Sequence, residues 1–566
     1  MGPYQNFIYD SDNAHSGELS GPVRFHNLHQ TAYQDIYQEG VKLRIIITND
    51  IHAHEDEFNY VGADCTDFDR SAQACFGGAA RRRTIVDMLR AGHPDTLLVD
   101  AGDAFQGHLI HNYYTGLATA HIMNVLAYSF MTIGNHEFDN GIDALAAFFN
   151  QLDFPVVCSN IEFPPESPLH DLVYPYVIIK KYNLGVVGFT TTNIKSLSLG
   201  EGLSSITITD PVVAVQKQID YLQSVGVKTI VAISHSGYRI DQLIAQSTQG
   251  LQIIFGGHSH TYLANDPDQP QARGPYPTTV YDRLGHPVYV VQTKKFGEYV
   301  GYLDLTLDSD SGAINWLSGQ SIHMTQNITP DQAMQDFIRH IRRPIDTLAN
   351  QYLAELNVDM PQMDCKVGEC RLGNLVTEAM LYSARDDPSS SLSPSRNARP
   401  YIALINSDVM RSGLTHGPVN LGHVLMVFPN ANSLVRLELP GADLRNIMIA
   451  AVTQVNPVDN VKSNCFVQFA GIRIEFNFWQ KYLGKIEVRS ATGVWEPLDD
   501  QAIYPILTTD FVALGGDHLV AIKLDFESIL PLNQMLARYL ANNPKPNIEL
   551  DGRHREVPVP ASISVA

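Results

Sequence analysis

The sequence predicts an α/β protein, and three features carry that expectation. Short apolar runs rich in β-branched residues, LRIII at 43–47, TLLVD at 96–100, TIVAIS at 229–234 and LQIIF at 251–255, each give way at once to polar residues or glycine, as buried strands do. Longer stretches between them, ARRRTIVDMLRAG at 80–92 and DPVVAVQKQIDYLQSVG at 210–226, repeat their apolar residues at helical spacing and end on glycine. The chemically suggestive residues all follow the strands, which places functional loops along one edge of a sheet.

In chain order, residues 1–40 are polar, rich in His, Gln and Tyr, and show no apolar signal-peptide core. The run LRIII leads into TNDIHAH, with Asp50 and His52, and TLLVD leads into DAGDAFQG, with Asp103. GNHEFDNG supplies Asn135, ISHSG supplies His235, and GGHSH supplies His258 and His260. Taken singly, each cluster has an ordinary explanation: a glycine turn, a helix cap, a buried histidine satisfied by a carbonyl. Taken together, seven oxygen and imidazole donors without thiolate suit a catalytic pair of divalent cations better than a closed structural site. Zinc is expected, with manganese, cobalt or iron as alternatives.

Two cations about 3.5–4 Å apart need a bridging anion, and Asp103 is the candidate. A hydroxide between the metals would attack in line, and both ions would neutralise charge on a transferring phosphoryl group, so phosphate esters are the expected substrates. His136, next to Asn135 and followed by Asp139, reads as an imidazole oriented by a carboxylate, able to donate a hydrogen bond or proton to the departing oxygen.

The ordered set TNDIHAH, DAGDAFQG, GNHEFDNG, SHSG and GGHSH resembles the calcineurin-like metallophosphatase domain of the 5′-nucleotidase family. Downstream, CKVGECRLGNLV, LINSDVMRSGL, VFPNANSLVRLELPGADL and TTDFVALGGDHL resemble that family's C-terminal substrate-recognition domain, in its secreted ecto-enzymes and apyrases. The likeness implies an N-terminal extension at 1–40, a metallophosphatase β-sandwich flanked by helices at 41–326, a linking helix at 327–350, and a second α/β, nucleotide-binding domain at 351–566. It implies hydrolysis of nucleoside 5′-monophosphates, with an apyrase or a UDP-sugar, di- or triphosphate hydrolase as the competing enzyme. A nucleotide-binding scavenger without turnover is the reading of a different class.

By the same likeness Asp50, His52 and Asp103, with His260 as a further candidate, hold one metal, and Asp103, Asn135, His235 and His258 the other. Asn406 and Arg411 stand where the family contacts base and phosphate, Phe511 where a ring stacks on the base, Asp517 where a carboxylate takes the ribose hydroxyls, and Lys366 where the ecto-enzymes have arginine. Core packing is the competing explanation of Phe511. His54 replaces the usual arginine, which predicts a weaker or pH-dependent phosphate contact. Asn430 replaces the second ring of a base clamp, which predicts broad base tolerance and tighter AMP binding on Asn430→Phe. Another ring on the base, Phe428 or Phe466, would contradict that. Cys65 with Cys75 and Cys365 with Cys370 fall at positions paired in the ecto-enzymes, which implies an oxidising compartment, secreted or periplasmic. Cys158 and Cys465 read as buried free thiols.

Met334, Ile338, Ile341, Ile345 and Leu348 recur at helical spacing after Thr329, Pro330 and Gln332, read as N-cap, first-turn proline and capping-box partner, with Pro344 expected to kink or divide the helix. The likeness makes this helix a hinge that carries the second domain over the metals. At 566 residues the chain exceeds one core, and 44% hydrophobic with 17% charged residues is a globular composition. No apolar run approaches the roughly 20 residues of a membrane span. A net charge of -21 argues against nucleic-acid polymers or anionic membranes as partners. A small nucleotide is the expected partner, and a dimer is compatible with the sequence. The ending VPVPASISVA lacks a lipid-anchor tail, and Ser-rich 389–400 reads as a surface connector.

Overall fold

The isoleucines of Val41–Thr48 are buried on both faces of their strand, which requires a layer on either side: Ile45 and Ile47 meet a second sheet, and Ile46 meets helices. The computed structural model describes residues 40–559 apart from 61, 63, 107–108, 199–201, 267–268, 270, 386–398, 429–431, 459–462, 464–465, 521–522 and 524. Val41–Thr48 lies within a seven-stranded sheet ordered Ile314–His323, Tyr299–Leu307, Val41–Thr48, Thr96–Asp100, Phe130–Met131, Val156–Val157 and Val173–Tyr174. A six-stranded sheet, ordered Thr278–Tyr281, Pro287–Val291, Ile253–Phe255, Thr229–His235, Leu184–Thr190 and Tyr176–Ile179, packs against it.

Leu43, Val99 and Phe130 of the first sheet meet Val186, Ile233 and Phe255 of the second in a buried apolar interface. The helices Ala79–Arg90, Leu117–Val125 and Gly141–Phe149 cover the first sheet through Ile85, Ile122 and Phe148. Pro211–Ser224 and Tyr238–Ser247 cover the second through Ile219 and Ile244. The expected β-sandwich flanked by helices is what forms.

The connecting helix differs from expectation in three ways. It runs Gln332–Ala349 and is capped by Asp331, whose carboxylate accepts from the Met334 amide at 2.8 Å. Thr329 is not the cap: its carbonyl takes the Thr84 hydroxyl at 2.7 Å. Pro344 lies inside the helix without dividing it. Proline withholds one N–H and crowds the preceding turn, yet Met334, Ile338, Ile341 and Ile345 on both sides of that turn are packed into the first domain's helical core. Arg342 adds a two-pronged contact to Asp64, at 2.9 and 2.5 Å. The helix is thus part of the first domain's packing.

In the second domain a five-stranded sheet is ordered Val467–Ala470, Ile402–Asn406, Ile503–Thr509, Ser433–Pro440 and Glu527–Pro531. Arg371–Arg385 and Leu532–Asn542 pack on one face, and Gly441–Thr453 on the other. Trp495–Pro497, Tyr482–Arg489, Ile472–Asn477 and His554–Glu556 form a further small sheet. Disulfides join Cys65 to Cys75 and Cys365 to Cys370, while Cys158 is buried and free. Cys465, Asn430, residues 1–39 and most of the Ser-rich stretch lie outside the described residues. Among the described residues no helix is long and apolar enough to cross a membrane.

Candidate metal centre

Parallel strands put their C-terminal ends, and the loops that follow, on one edge. Asp50 and His52, Asp103, and Asn135 follow three parallel neighbours of the first sheet, Val41–Thr48, Thr96–Asp100 and Phe130–Met131. His235 ends Thr229–His235, and His258 and His260 follow its parallel neighbour Ile253–Phe255. Donor atoms of Asp50, His52 and His260 lie within 4.8 Å of one another, as do those of Asp103, His235 and His258. Asp103 also groups with His52 and His136, so its carboxylate stands between the two sets. Its Oδ2 is 2.9 Å from His235 Nε2 and 3.8 Å from His52 Nε2.

The backbone is bent to achieve this. Asp50, His52, Asp103, His258 and His260 all adopt left-handed φ between 50 and 74°, a conformation that costs non-glycine residues about 1–3 kcal/mol each and persists where the surroundings enforce it. Gly134 is needed for close approach, because a Cβ there would sit 2.1 Å from Asp103 Oδ1.

The donors fit divalent cations. His52 Nδ1 faces the Phe105 and Gln106 carbonyls, both at 3.1 Å, and His235 Nδ1 faces the Ala101 carbonyl at 2.7 Å. Those carbonyls fix each ring with the Nδ1 proton outward and the Nε2 lone pair inward. His52 Nε2 then meets His260 Nε2 at 3.1 Å, so the two rings converge on one point. Asn135 Oδ1 is buried without a hydrogen-bond partner among the described residues, and His235 Nε2, also buried, has the Asp103 carboxylate at 2.9 Å. Without ions the cluster is balanced by protons instead: burial opposes it, but Asp103 raises His235 to about 10, and the charged imidazoles of His260 and His235 beside Asp50, and of His235 and His136 beside Asp103, hold both carboxyls below the usual carboxylate range although burial alone would raise them. Burial also pushes His258 down to about 4, leaving its ring neutral with a lone pair to give.

His136 Nδ1 is 2.7 Å from Asp139 Oδ2. Burial opposes protonation, but Asp139 and then Asp103 prevail and raise His136 to about 10, so the ring carries a proton into the cleft. The sequence reading missed the groups that hold this arrangement. Glu137, fully buried, accepts the amides of Asp103, Gly134 and Phe105. Asn49 donates to Asp50 Oδ2 at 2.6 Å and accepts from Thr293 at 2.9 Å. A Glu directly after His136 was the one signal in the sequence for the first.

A cleft of about 200 Å³ joins the domains: His52, His136, His260, Lys295 and Phe296 line one side, and Asn406, Arg411, Asn432, Asp510, Phe511 and Asp517 the other. Asn406 ends its strand and donates to Asp517 Oδ2 at 2.8 Å. Phe511, 41% exposed, stands in the cleft and not in the core. Two expectations are corrected. His54 is buried with its ring nitrogens on the His52 and Gly62 carbonyls and its face on Phe296, so it is turned away from any phosphate. Lys366 does not line the cleft; it pairs with Asp408 at 3.1 Å, and Asp408 does. Phe428 and Phe466 are both buried in the second domain's cores.

The calcineurin-like phosphoesterase family model matches residues 43–262, and that of the 5′-nucleotidase C-terminal domain matches 348–523. The chain is 31% identical to snake venom 5′-nucleotidase of Naja atra over 86% of this chain and 92% of that protein. It is 30% identical to 5′-nucleotidase of Bos taurus over 85% and 84%. Among solved structures, the 5′-nucleotidase precursor from Thermus thermophilus superposes with a TM-score of 0.65 at 31% identity, covering 92% of this chain and 100% of that one. The NAD nucleotidase of Haemophilus influenzae shares the fold, with a TM-score of 0.63 at 20% identity over 92% and 99%.

Proposed function

Because this chain belongs to the 5′-nucleotidase family, we propose that it hydrolyses nucleoside 5′-monophosphates to nucleoside and phosphate in the cleft between its domains. One observation carries the reading: His52 and His260 of the first domain's donor cluster, with His136 beside them, and the Arg411, Phe511 and Asp517 side chains of the second domain line a single cavity.

Asp50, His52 and His260 would hold one divalent ion and Asn135, His235 and His258 a second, with Asp103 shared; zinc suits these donors, and manganese, cobalt or iron are alternatives. When bound, such a pair supplies water activation and charge neutralisation at phosphorus. The other steps belong to side chains. His136, kept protonated by Asp139, donates to the oxygen on which charge develops. Arg411 offers a planar fork to phosphate oxygens, Phe511 a face to the base, and Asp517, steadied by Asn406, two acceptor oxygens to ribose hydroxyls. Two disulfides favour an oxidising compartment, secreted or periplasmic.

Phosphate release from AMP, ADP, ATP, UDP-glucose and a cyclic nucleotide, with metals chelated and restored, tests this. Chelator-reversible release from AMP is expected. Turnover of UDP-glucose or triphosphate with none from AMP would favour the pyrophosphatase reading, and nucleotide binding without release would favour a scavenger.

A further inference from the structure

Gln292 is fully buried and follows Pro287–Val291, a strand of the second sheet that carries none of the proposed ligands. The strand runs parallel to its neighbour Ile253–Phe255, so its C-terminal end falls on the edge where the donor loops gather. The whole Gln292 amide is given to one of those loops. Nε2 donates to the Gly257 carbonyl at 2.5 Å, and Oε1 accepts from the Thr261 amide at 2.5 Å and from the Ser259 hydroxyl at 3.0 Å. Residues 257, 259 and 261 thus turn to Gln292, while His258 and His260 between them join the donor cluster.

This loop has little of its own to hold it. Within 257–261 the main chain makes one bond among the described residues, from the Ser259 amide to the Gly257 carbonyl at 3.0 Å, and both histidines are left-handed, with φ of 74 and 52°. The Gly257 carbonyl can only accept and the Thr261 amide can only donate, so a side chain that joins them must offer one donor and one acceptor in a fixed order. An amide does so; a carboxylate does not. The grip also extends sideways. Ser259 Oγ accepts from the Tyr238 amide at 2.9 Å, at the start of the helix that follows His235. The next residue, Thr293, donates its amide and hydroxyl to Asn49 Oδ1 at 2.9 and 2.6 Å, and Asn49 in turn donates to Asp50.

We propose that Gln292 is a positioning residue that sets the separation of the two cation sites. The inference rests on the two-ion reading of the donor cluster and adds to it the device that fixes the spacing. His258 belongs to the group with Asp103 and His235, and His260 to the group with Asp50 and His52. Only Ser259 stands between these two histidines, so the shape of 257–261 decides how far one donor set lies from the other. Both ends of the Gln292 amide are engaged on the loop, so this residue supplies the shape and no ligand. Outer groups that orient metal ligands in this way act on ion affinity and geometry together.

The test is manganese binding to the metal-free full chain, followed by calorimetry and by electron paramagnetic resonance. Wild type takes up two ions, and a pair that shares Asp103 gives the spectrum of coupled ions in place of that of isolated ones. Gln292→Glu keeps the size of the side chain but sets an oxygen against the Gly257 carbonyl. Its weaker site should lose about 10–100-fold in affinity, and at saturating manganese the coupled spectrum should give way to that of isolated ions. Ser259→Ala, at an exposed position, removes one contact of the same grip and should shift both readouts in the same direction by a smaller factor. Circular dichroism identifies the folded variants, and if Gln292→Glu does not fold, Ser259→Ala decides the question. A role in stability alone would lower the melting temperature and leave the coupled spectrum intact, so that result in a folded variant overturns the proposal. The underlying reading is judged on the wild type: if it shows a coupled pair and releases phosphate from AMP while the variants match it, only the proposal fails.

Discussion

Replacing Glu137 with glutamine removes an acceptor oxygen from beneath the site without replacing a proposed ligand; burial and then Asp103 raise the Glu137 carboxyl to about 7, so above that pH the change removes a charge as well. In the wild type, Oε2 accepts the Gly134 amide at 2.6 Å and the Asp103 amide at 2.9 Å, and Oε1 accepts the Phe105 amide at 3.1 Å. An amide side chain has one acceptor oxygen. Placed at the Oε2 position it keeps two bonds and sets its own N–H against that of Phe105. One buried amide is then unsatisfied and the other two lose a charged acceptor. A buried unsatisfied group costs about 1–3 kcal/mol, and bonds to charged acceptors contribute more than neutral ones, so Glu137→Gln should destabilise the first domain by about 2–4 kcal/mol. That is a large share of a typical margin of about 5–15 kcal/mol. Because those amides position Asp103 and the turn before Asn135, metal affinity should fall about 10–100-fold as well. Guanidinium unfolding followed by circular dichroism measures the first effect, and titration of the metal-free protein with zinc measures the second. Stability within about 0.5 kcal/mol of wild type together with unchanged zinc affinity, the scatter of neutral surface changes, would refute the reasoning.

His136→Asn should lower kcat for AMP by about 10²–10⁴ while leaving KM near wild type, since the group lost is a proton donor; steady-state phosphate release shows it. Phe511→Ala should raise KM for AMP about tenfold or more with a smaller change in kcat, because base stacking contributes about 1–3 kcal/mol. Glu298 is held below the usual carboxylate range: burial alone would raise it, but His323 and Lys294 prevail. A depressed folded pKa contributes stability above the unfolded value near 4.5, and that contribution is lost as pH falls through the folded pKa. Acid unfolding of Glu298→Gln should accordingly show a shallower loss of stability below about pH 4.5 than wild type.

The strand runs were legible because Ile45, Ile46 and Ile47 are buried on both faces and so read as continuous apolar sequence, and the proposed ligands were legible because each follows such a run. The helix cap was misplaced by two residues. Thr329 and Asp331 are both good caps by type; Asp331 takes the Met334 amide, while the Thr329 carbonyl is held by Thr84, distant in the chain. Pro344 looked like a break because its cost is local, whereas the packing of Ile338, Ile341 and Ile345 that overrides it is not. Glu137 and Asn49 were missed for the same reason: most of their partners are distant in the chain. His54 and Lys366 occupy positions that resemblance assigns to phosphate, but the first is captured by main-chain carbonyls and the second by Asp408.

Titrating metal-free protein with zinc or manganese while recording inorganic phosphate released from AMP tests the account most directly. Activity should be absent at the start, rise with added metal and level off at two ions per chain, and Asp103→Ala should stay folded yet fail to reach that plateau. Phosphate release that is indifferent to chelation, or an Asp103→Ala protein that binds two ions and turns over like wild type, would contradict it.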